Sequence, residues 1–294
     1  MSVVKATGVA ALGTGRFIGG FLLWAAAESV KNKIAAKNIR KNRIVFIIVL
    51  DCSKAFENLI IKEMQNRVLE VRRLGRVEYA AGLELQAESE RDVIERRAQD
   101  YLLLLEHPHT FTIGRRSKPD GVLATAELLR NLGVEVFETN RGGKVTYHGL
   151  GQIVGYPIIS LSPDREDVHK FVRELEEVLI RTMADFDIEA FRIEGLTGVH
   201  TREGKIAAIG VHIKRWVTTH GFALNVNTDL SYYNWIIACE GEPVASMDKL
   251  LGRNVEMAEV EDRIIENFQE VFGFGTALSS RFSVPPPGLA HAEA

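Results

Sequence analysis

Val168, Phe171, Val172, Leu175, Val178, Leu179, Thr182, Met183 and Phe186 recur at steps of three and four residues. That spacing sets them on one stripe and predicts an α-helix with an inward face. Val260, Ile264, Ile265, Phe268, Val271 and Phe272 predict a second such helix near the end of the chain. Residues 77–100, rich in Ala, Leu, Glu, Gln and Arg, predict a third by composition. Tyr101–Leu105 is different: an unbroken apolar run closed by Glu106-His107-Pro108, which reads as a buried strand. Further strands are expected at Val68–Leu74, Phe111–Ile113, Val134–Phe137, Lys205–Ile213, Trp216–Val217 and Phe222–Val226. Strands and helices mix without strict βαβ alternation. The expected class is therefore α/β of the α+β type, a mixed β-sheet flanked by helices.

The texture of the chain changes near Met64. Residues 1–63 carry ten Lys/Arg against four Asp/Glu, and the rest carries 26 against 35. Within the basic part, residues 17–27 form an apolar run of eleven, too short for the roughly 20 residues that span a bilayer. A signal peptide and a mitochondrial transit peptide are both conceivable there; a dispensable or poorly ordered extension is the preferred reading. The expected organisation is that extension at 1–63, a working domain at 64–276 and a disordered tail at 277–294, which contains Pro285–Pro287. Composition is that of an ordinary soluble protein, 46% hydrophobic and 26% charged. It excludes collagen-like, low-complexity and disulfide-scaffold classes. The acidic body argues against non-specific nucleic-acid binding. Two cysteines, Cys52 and Cys239, point to a reducing compartment.

Several motifs fail on inspection. Gly13 to Gly19 has the wrong last spacing for a dinucleotide fingerprint, and no strand precedes it. Gly198 to Gly204-Lys205 has five residues between the glycines, and Ile206 stands where a P-loop needs Ser or Thr. His107 and His109 could aim two imidazoles to one side, but no third metal ligand is evident nearby.

Three segments carry chemistry. In Arg141 to Gln152, paired glycines allow close backbone approach, and Thr146 and His148 share a face if the segment is extended. A glycine-rich hairpin with incidental polar residues explains the same pattern. In Gly204–Gly210, Lys205 enters a small, apolar strand, where burial is costly unless it has a partner or a task. A lysine snorkelling from a strand edge is the plainer account. The third segment runs from Thr219 through Asn227 to Cys239, which follows an apolar run in a Gly-containing loop. A thiol beside a basic partner is the simplest nucleophile for acyl transfer, although a lone cysteine is more often a small buried hydrophobe.

RGG-x-x-T-x-H-x-x-GQ at 141–152, GKIAAIG at 204–210, THGFALNVN at 219–227 and Cys239 together resemble the lipoyl(octanoyl) transferases of lipoate biosynthesis. The resemblance covers about Val68 to Phe272. It implies a catalytic domain of the biotin/lipoyl protein ligase type at 64–276, with Cys239 as nucleophile and Lys205 as acid/base. It implies binding residues at Arg141, Gly142, Gly143, Thr146, Tyr147, His148, Gly149, Gln152, Ala207, Ala208, Ile209, Gly210, His220, Gly221 and Ala223. The implied donor is octanoyl-acyl carrier protein. The implied acceptors are lipoyl domains of 2-oxoacid dehydrogenases and the glycine cleavage H protein. No metal, nucleotide or other cofactor is expected, because the thioester is already activated. A cytoplasmic monomer without a membrane span or nucleic-acid partner is expected, or a matrix protein if residues 1–50 are a transit peptide. One departure stands out: Ala238-Cys239-Glu240 replaces the usual Pro-Cys-Gly, and Glu240 would raise the thiol pKa by like charge.

An ATP-dependent lipoate–protein ligase and an octanoyl amidotransferase are the rival enzymes. A carrier-binding module without catalysis is the non-enzymatic rival. Backbone amides at Gly142–Gly143 or Cys239–Gly241 are the expected oxyanion donors, with His148 orienting or donating. Arg115, Arg116, Arg141 and Lys144 would guide acidic partners.

Overall fold

The computed structural model describes residues 67–118, 121–237 and 242–281, with Thr276–Arg281 as backbone alone. The expectations for residues 1–63, for Gly13 to Gly19, for Cys52, for Cys239 with its neighbours 238–241 and for residues 282–294 lie outside the described residues.

The apolar run of β2 (Asp100–Glu106) sets the architecture. Leu102 and Leu104 enter one core cluster, while Tyr101, Leu103 and Leu105 enter another on the opposite face. A strand with both faces apolar needs cover on both sides, and helices supply it. On one side lie α3 (Val168–Ala184) and α5 (Met257–Phe272), with the stripe Phe171, Leu175, Val178, Leu179 and Met183 buried against the sheet. The Asp167 side chain caps α3 by accepting from the Lys170 amide. On the other side lies α1 (Tyr79–Ile94), through Ala81, Leu85 and Ile94.

β2 pairs in parallel with β1 (Val68–Arg76) and antiparallel with β6 (Gln152–Ile158). Beyond β6 come β9 (Val217–Asn225), β8 (Gly204–Lys214) and β7 (Val199–Thr201), all antiparallel. β10 (Thr276–Arg281) closes the other edge, parallel to β1. The seven-stranded order is β10-β1-β2-β6-β9-β8-β7. A second sheet has the order β4-β3-β5, from β3 (Thr110–Ile113), β4 (Glu135–Glu138) and β5 (Val145–His148). α2 (Ala126–Leu132) joins β3 to β4, and α4 (Met247–Leu251) precedes α5. The expected mixed sheets flanked by helices are what the chain forms.

Three local expectations are corrected. The two expected strands at Trp216–Val217 and Phe222–Val226 are parts of one strand, β9, which runs from Val217 to Asn225 and is entered through a tight turn in which Arg215 and Trp216 both have positive φ. Its polar centre, Thr218-Thr219-His220, hid the continuity because β9 is buried along its whole length. The glycine-rich segment 141–152 is no hairpin: β5 pairs with β3 in the small sheet, and β6 joins the large one. The folded region also continues past residue 276, because β10 gains its ladder from β1 rather than from any apolar pattern of its own.

Candidate active site

A cavity of about 220 Å³ is lined by β5, β6, β8 and β9, the first residue of α1 and segments around 195–197 and 242–244. Strand alternation places Thr146 and His148 together on its wall, as their two-residue spacing predicts. Arg141, Gly143, Ala208, Ile209, Gly210, His220, Gly221 and Ala223 also line it. Gly210 is needed for close approach: a Cβ there would sit 2.7 Å from the Gly142 carbonyl oxygen and 3.2 Å from Arg141 Cδ.

Five proposed binding residues do not line the cavity. Tyr147 is fully buried, stacked on Tyr232 and edge-on to Tyr233 and Phe111. Ala207 belongs to the core beneath α3. Gly142 donates its amide to the Val211 carbonyl at 3.0 Å, so that amide cannot also hold an oxyanion. Gly149 opens the turn into β6, its carbonyl accepting from Gln152 N–H, and Gln152 acts one layer back.

That layer fixes the state of His148. Asn225 Nδ2 donates to the Ala245 carbonyl at 3.0 Å, so Asn225 Oδ1 accepts from Gln152 Nε2 at 2.9 Å. Gln152 Nε2 also donates to the Tyr147 carbonyl, which turns its Oε1 toward His148 Nδ1 at 2.9 Å. Each amide is thereby oriented, and His148 must carry its proton on Nδ1. Its Nε2 is an acceptor, not the donor that the sequence suggested as one option. Burial first, and then the neighbouring His107 and the charge of Arg141, hold the His148 pKa well below the ordinary 6.5.

His107 and His220 flank this group. His107 donates from Nδ1 to the Val77 carbonyl at 2.6 Å and accepts from the Tyr156 hydroxyl at 2.7 Å. His109 instead bonds the Tyr147 hydroxyl, so the two imidazoles of His107-Pro108-His109 do not share a site. Among the described residues no cluster of three His, Cys, Asp or Glu could hold a metal. His220 takes φ +57° in the middle of β9, a conformation costing of order 1–3 kcal/mol for a residue with a Cβ. Gln86 of α1 accepts its amide N–H at 2.7 Å, and Asn140 Oδ1 lies 2.7 Å from its Nε2. Burial lowers the pKa of both His107 and His220 to about 4.

Two basic side chains also line the cavity. Arg141 is buried, donating from Nη2 to the carbonyl and hydroxyl of Thr112 and from Nη1 to the Gly142 carbonyl. Lys205 is 7% exposed and donates from Nζ to the Thr197 carbonyl at 2.7 Å. Its backbone is held from both sides: its N–H donates to the Pro243 carbonyl at 2.8 Å, and its carbonyl accepts from Ala245 N–H. The Gly198–Lys205 stretch is a β7–β8 hairpin rather than a loop entering a helix, which is no phosphate cradle. Arg116 and Lys144 stand at the cavity as well.

Sequence reasoning missed Tyr79, Tyr156, Leu196, Thr197, Phe222 and Glu242 on the cavity wall. Tyr79 was hidden as the first residue of a helix. The Gly195-Leu196-Thr197 stretch offered only its glycine as a signal.

The lipoyl protein ligase A/B catalytic domain family model matches residues 78–269. The octanoyltransferase of Solibacter usitatus is 50% identical over 205 residues, 69% of this chain and 93% of that protein. The octanoyltransferase of Caldicellulosiruptor bescii is 46% identical over 204 residues, 68% of this chain and 90% of that protein. A bipartite lipoate protein ligase from Thermoplasma acidophilum aligns over 75% of this chain and 88% of its own, with TM-score 0.55 and 18% identity. That last likeness shows the fold.

Proposed function

The chain belongs to the lipoyl protein ligase A/B catalytic domain family, and on that premise we propose that it moves an octanoyl group onto a lysine of lipoyl domains, through a thioester on Cys239. The donor in this reading is octanoyl-acyl carrier protein, and the acceptors are lipoyl domains of 2-oxoacid dehydrogenases and the glycine cleavage H protein. The observation that carries it is Lys205, a buried amine on the wall of a small, largely apolar cavity. Ligand pockets for drug-sized molecules run to roughly 300–1,000 Å³. A cavity of about 220 Å³ suits one short acyl chain better.

Support for Cys239 as the partner of Lys205 comes from the chain on its far side. Pro243, four residues on, accepts the Lys205 amide, and Glu242 and Val244 line the cavity. Four residues reach at most about 14 Å. Lys205 takes the Cys239 proton, and the thiolate attacks the thioester carbonyl. The carrier thiol leaves with a proton returned by Lys205. The acceptor amine then attacks the acyl-enzyme, Lys205 removes its proton, and the Cys239 thiolate departs.

His148, neutral and accepting at Nε2, suits the incoming N–H of the acceptor amine. The commitment of the Gly142 amide to Val211 shifts the oxyanion role toward Gly143 or the backbone around Cys239. Arg115, Arg116 and Lys144, at or beside the mouth, suit acidic protein partners. No helix among the described residues is long and apolar enough to cross a membrane. Separately, we propose a cytoplasmic, monomeric enzyme.

The test is transfer from octanoyl-acyl carrier protein to an unmodified lipoyl domain with nucleotide removed. Octanoylated acceptor is expected. Product from free octanoate that appears only with ATP would replace this reading with a ligase. Product only from an octanoylated carrier domain would replace it with an amidotransferase.

A further inference from the structure

The apolar stripe of α3 is broken by one charge. Glu176 lies among Leu175, Val178 and Leu179 and is itself 0% exposed. A buried carboxylate needs partners that replace water. Its Oε2 accepts from Arg173 Nη1 at 2.7 Å and Arg192 Nε at 3.1 Å. Its Oε1 accepts from the Gly198 backbone N–H at 3.0 Å.

That amide belongs to the peptide unit whose carbonyl is Thr197, the acceptor of Lys205 Nζ. In a planar trans peptide the N–H and C=O point in opposite directions. Fixing the N–H on Glu176 therefore aims the carbonyl at Lys205. Gly198 completes the arrangement. It has φ +123°, and a Cβ there would lie 2.5 Å from Lys205 Cε and 2.6 Å from the Ala207 carbonyl oxygen.

We propose that Glu176 is a positioning residue for Lys205, acting through the single peptide unit between Thr197 and Gly198. The proposal rests on the reading of Lys205 as the acid/base of acyl transfer. Arg173 and Arg192, nearer the surface, compensate the charge of Glu176 without touching that peptide.

Two variants separate this role from a purely structural ion pair. Glu176→Gln keeps an oxygen at the right length but loses the charge. Glu176→Asp keeps the charge but withdraws the carboxylate by one methylene. Positioning through Gly198 predicts kcat within about threefold of wild type for Gln and a ten- to hundredfold loss for Asp, since misplacement of about 1 Å carries that cost. KM should change little in either. An ion-pair role predicts the reverse order, and that order would overturn the proposal.

The second readout is the rate at which acetic anhydride labels Lys205, measured on its peptide by mass. Labelling should accelerate several-fold in Glu176→Asp while Lys170 and Lys214, both well exposed, react as in wild type. Unchanged labelling of Lys205 in a folded Asp variant would also overturn it. If Lys205→Met keeps full activity, the acid/base reading fails, and the labelling rate still decides whether Glu176 positions the amine.

Discussion

The seven-stranded sheet is covered on both faces, by α3 and α5 on one and α1 on the other. The three-stranded sheet is built of four-residue strands, and Val136 on its outer strand is 40% exposed. The large sheet is held by many interchangeable apolar contacts. The small sheet delivers Thr146 and His148 to the cavity, and their chemistry rests on single hydrogen bonds such as His148 to Gln152. Loss in the first region spreads over the core and shows as stability. Loss in the second falls on one atom and shows as rate.

Lys205 and His220 stand on strands of the large sheet yet line the cavity. The contrast is therefore between apolar core side chains and polar cavity side chains rather than between whole sheets. Replacing Lys205 by Met should test it most. Acyl transfer should fall about 10²- to 10⁴-fold, the usual contribution of a positioned acid/base group, while the melting temperature holds. Steady-state rates beside calorimetry check it. A parallel collapse of stability would place Lys205 among framework residues instead.

Acid gives the next effect, and it acts through the site's imidazoles. His107 and His220 have folded pKa values near 4 against 6.5 unfolded, both lowered chiefly by burial. The folded state therefore binds fewer protons than the unfolded one between these values. Their contribution is complete above pH 6.5 and is lost as pH falls toward 4, at roughly 2.7 kcal/mol per pH unit for the pair. His148 adds in the same sense. Urea unfolding from pH 7 to 4.5 measures the slope, and His107→Gln should flatten it.

Leu104→Ala, in the heart of β2, should cost about 2–5 kcal/mol of stability. The folded fraction should turn over acyl groups at the wild-type rate. Equilibrium denaturation with activity per folded molecule tests both halves. Gln152→Leu should give the smallest effect, about 1–3 kcal/mol for a broken buried network. It should appear mainly as a slower second half-reaction, because the His148 tautomer is no longer fixed. Separate single-turnover measurements of acylation and transfer resolve this.

What was legible in the sequence follows the same division. Tyr101–Leu105 and the stripe of α3 announce themselves because burial repeats along them. Lys205 and His148 stand out as polar residues in small or glycine-rich surroundings, and the cavity brings both together. The glycine-rich segment misled because the switch from one sheet to the other is set by β3 and β9, residues far away in the chain. β9 looked broken because its buried threonines satisfy themselves on neighbouring backbone, as Thr218 does on Pro157. Glu176 was invisible: a single Glu on a helix reads as solvent-facing, and only the position of Gly198 gives it a task. β10 carries no apolar alternation, since β1 supplies its partners.

The central claim, a covalent acyl-enzyme on Cys239 served by Lys205, is met most directly by intact mass. Wild type, Cys239→Ala and Lys205→Met are each mixed with octanoyl-acyl carrier protein and quenched in acid. The account predicts one hydroxylamine-sensitive octanoyl increment on wild type, none on Cys239→Ala, and a greatly slowed increment on Lys205→Met. An increment that persists in Cys239→Ala, or transfer at full rate without any increment, would contradict it.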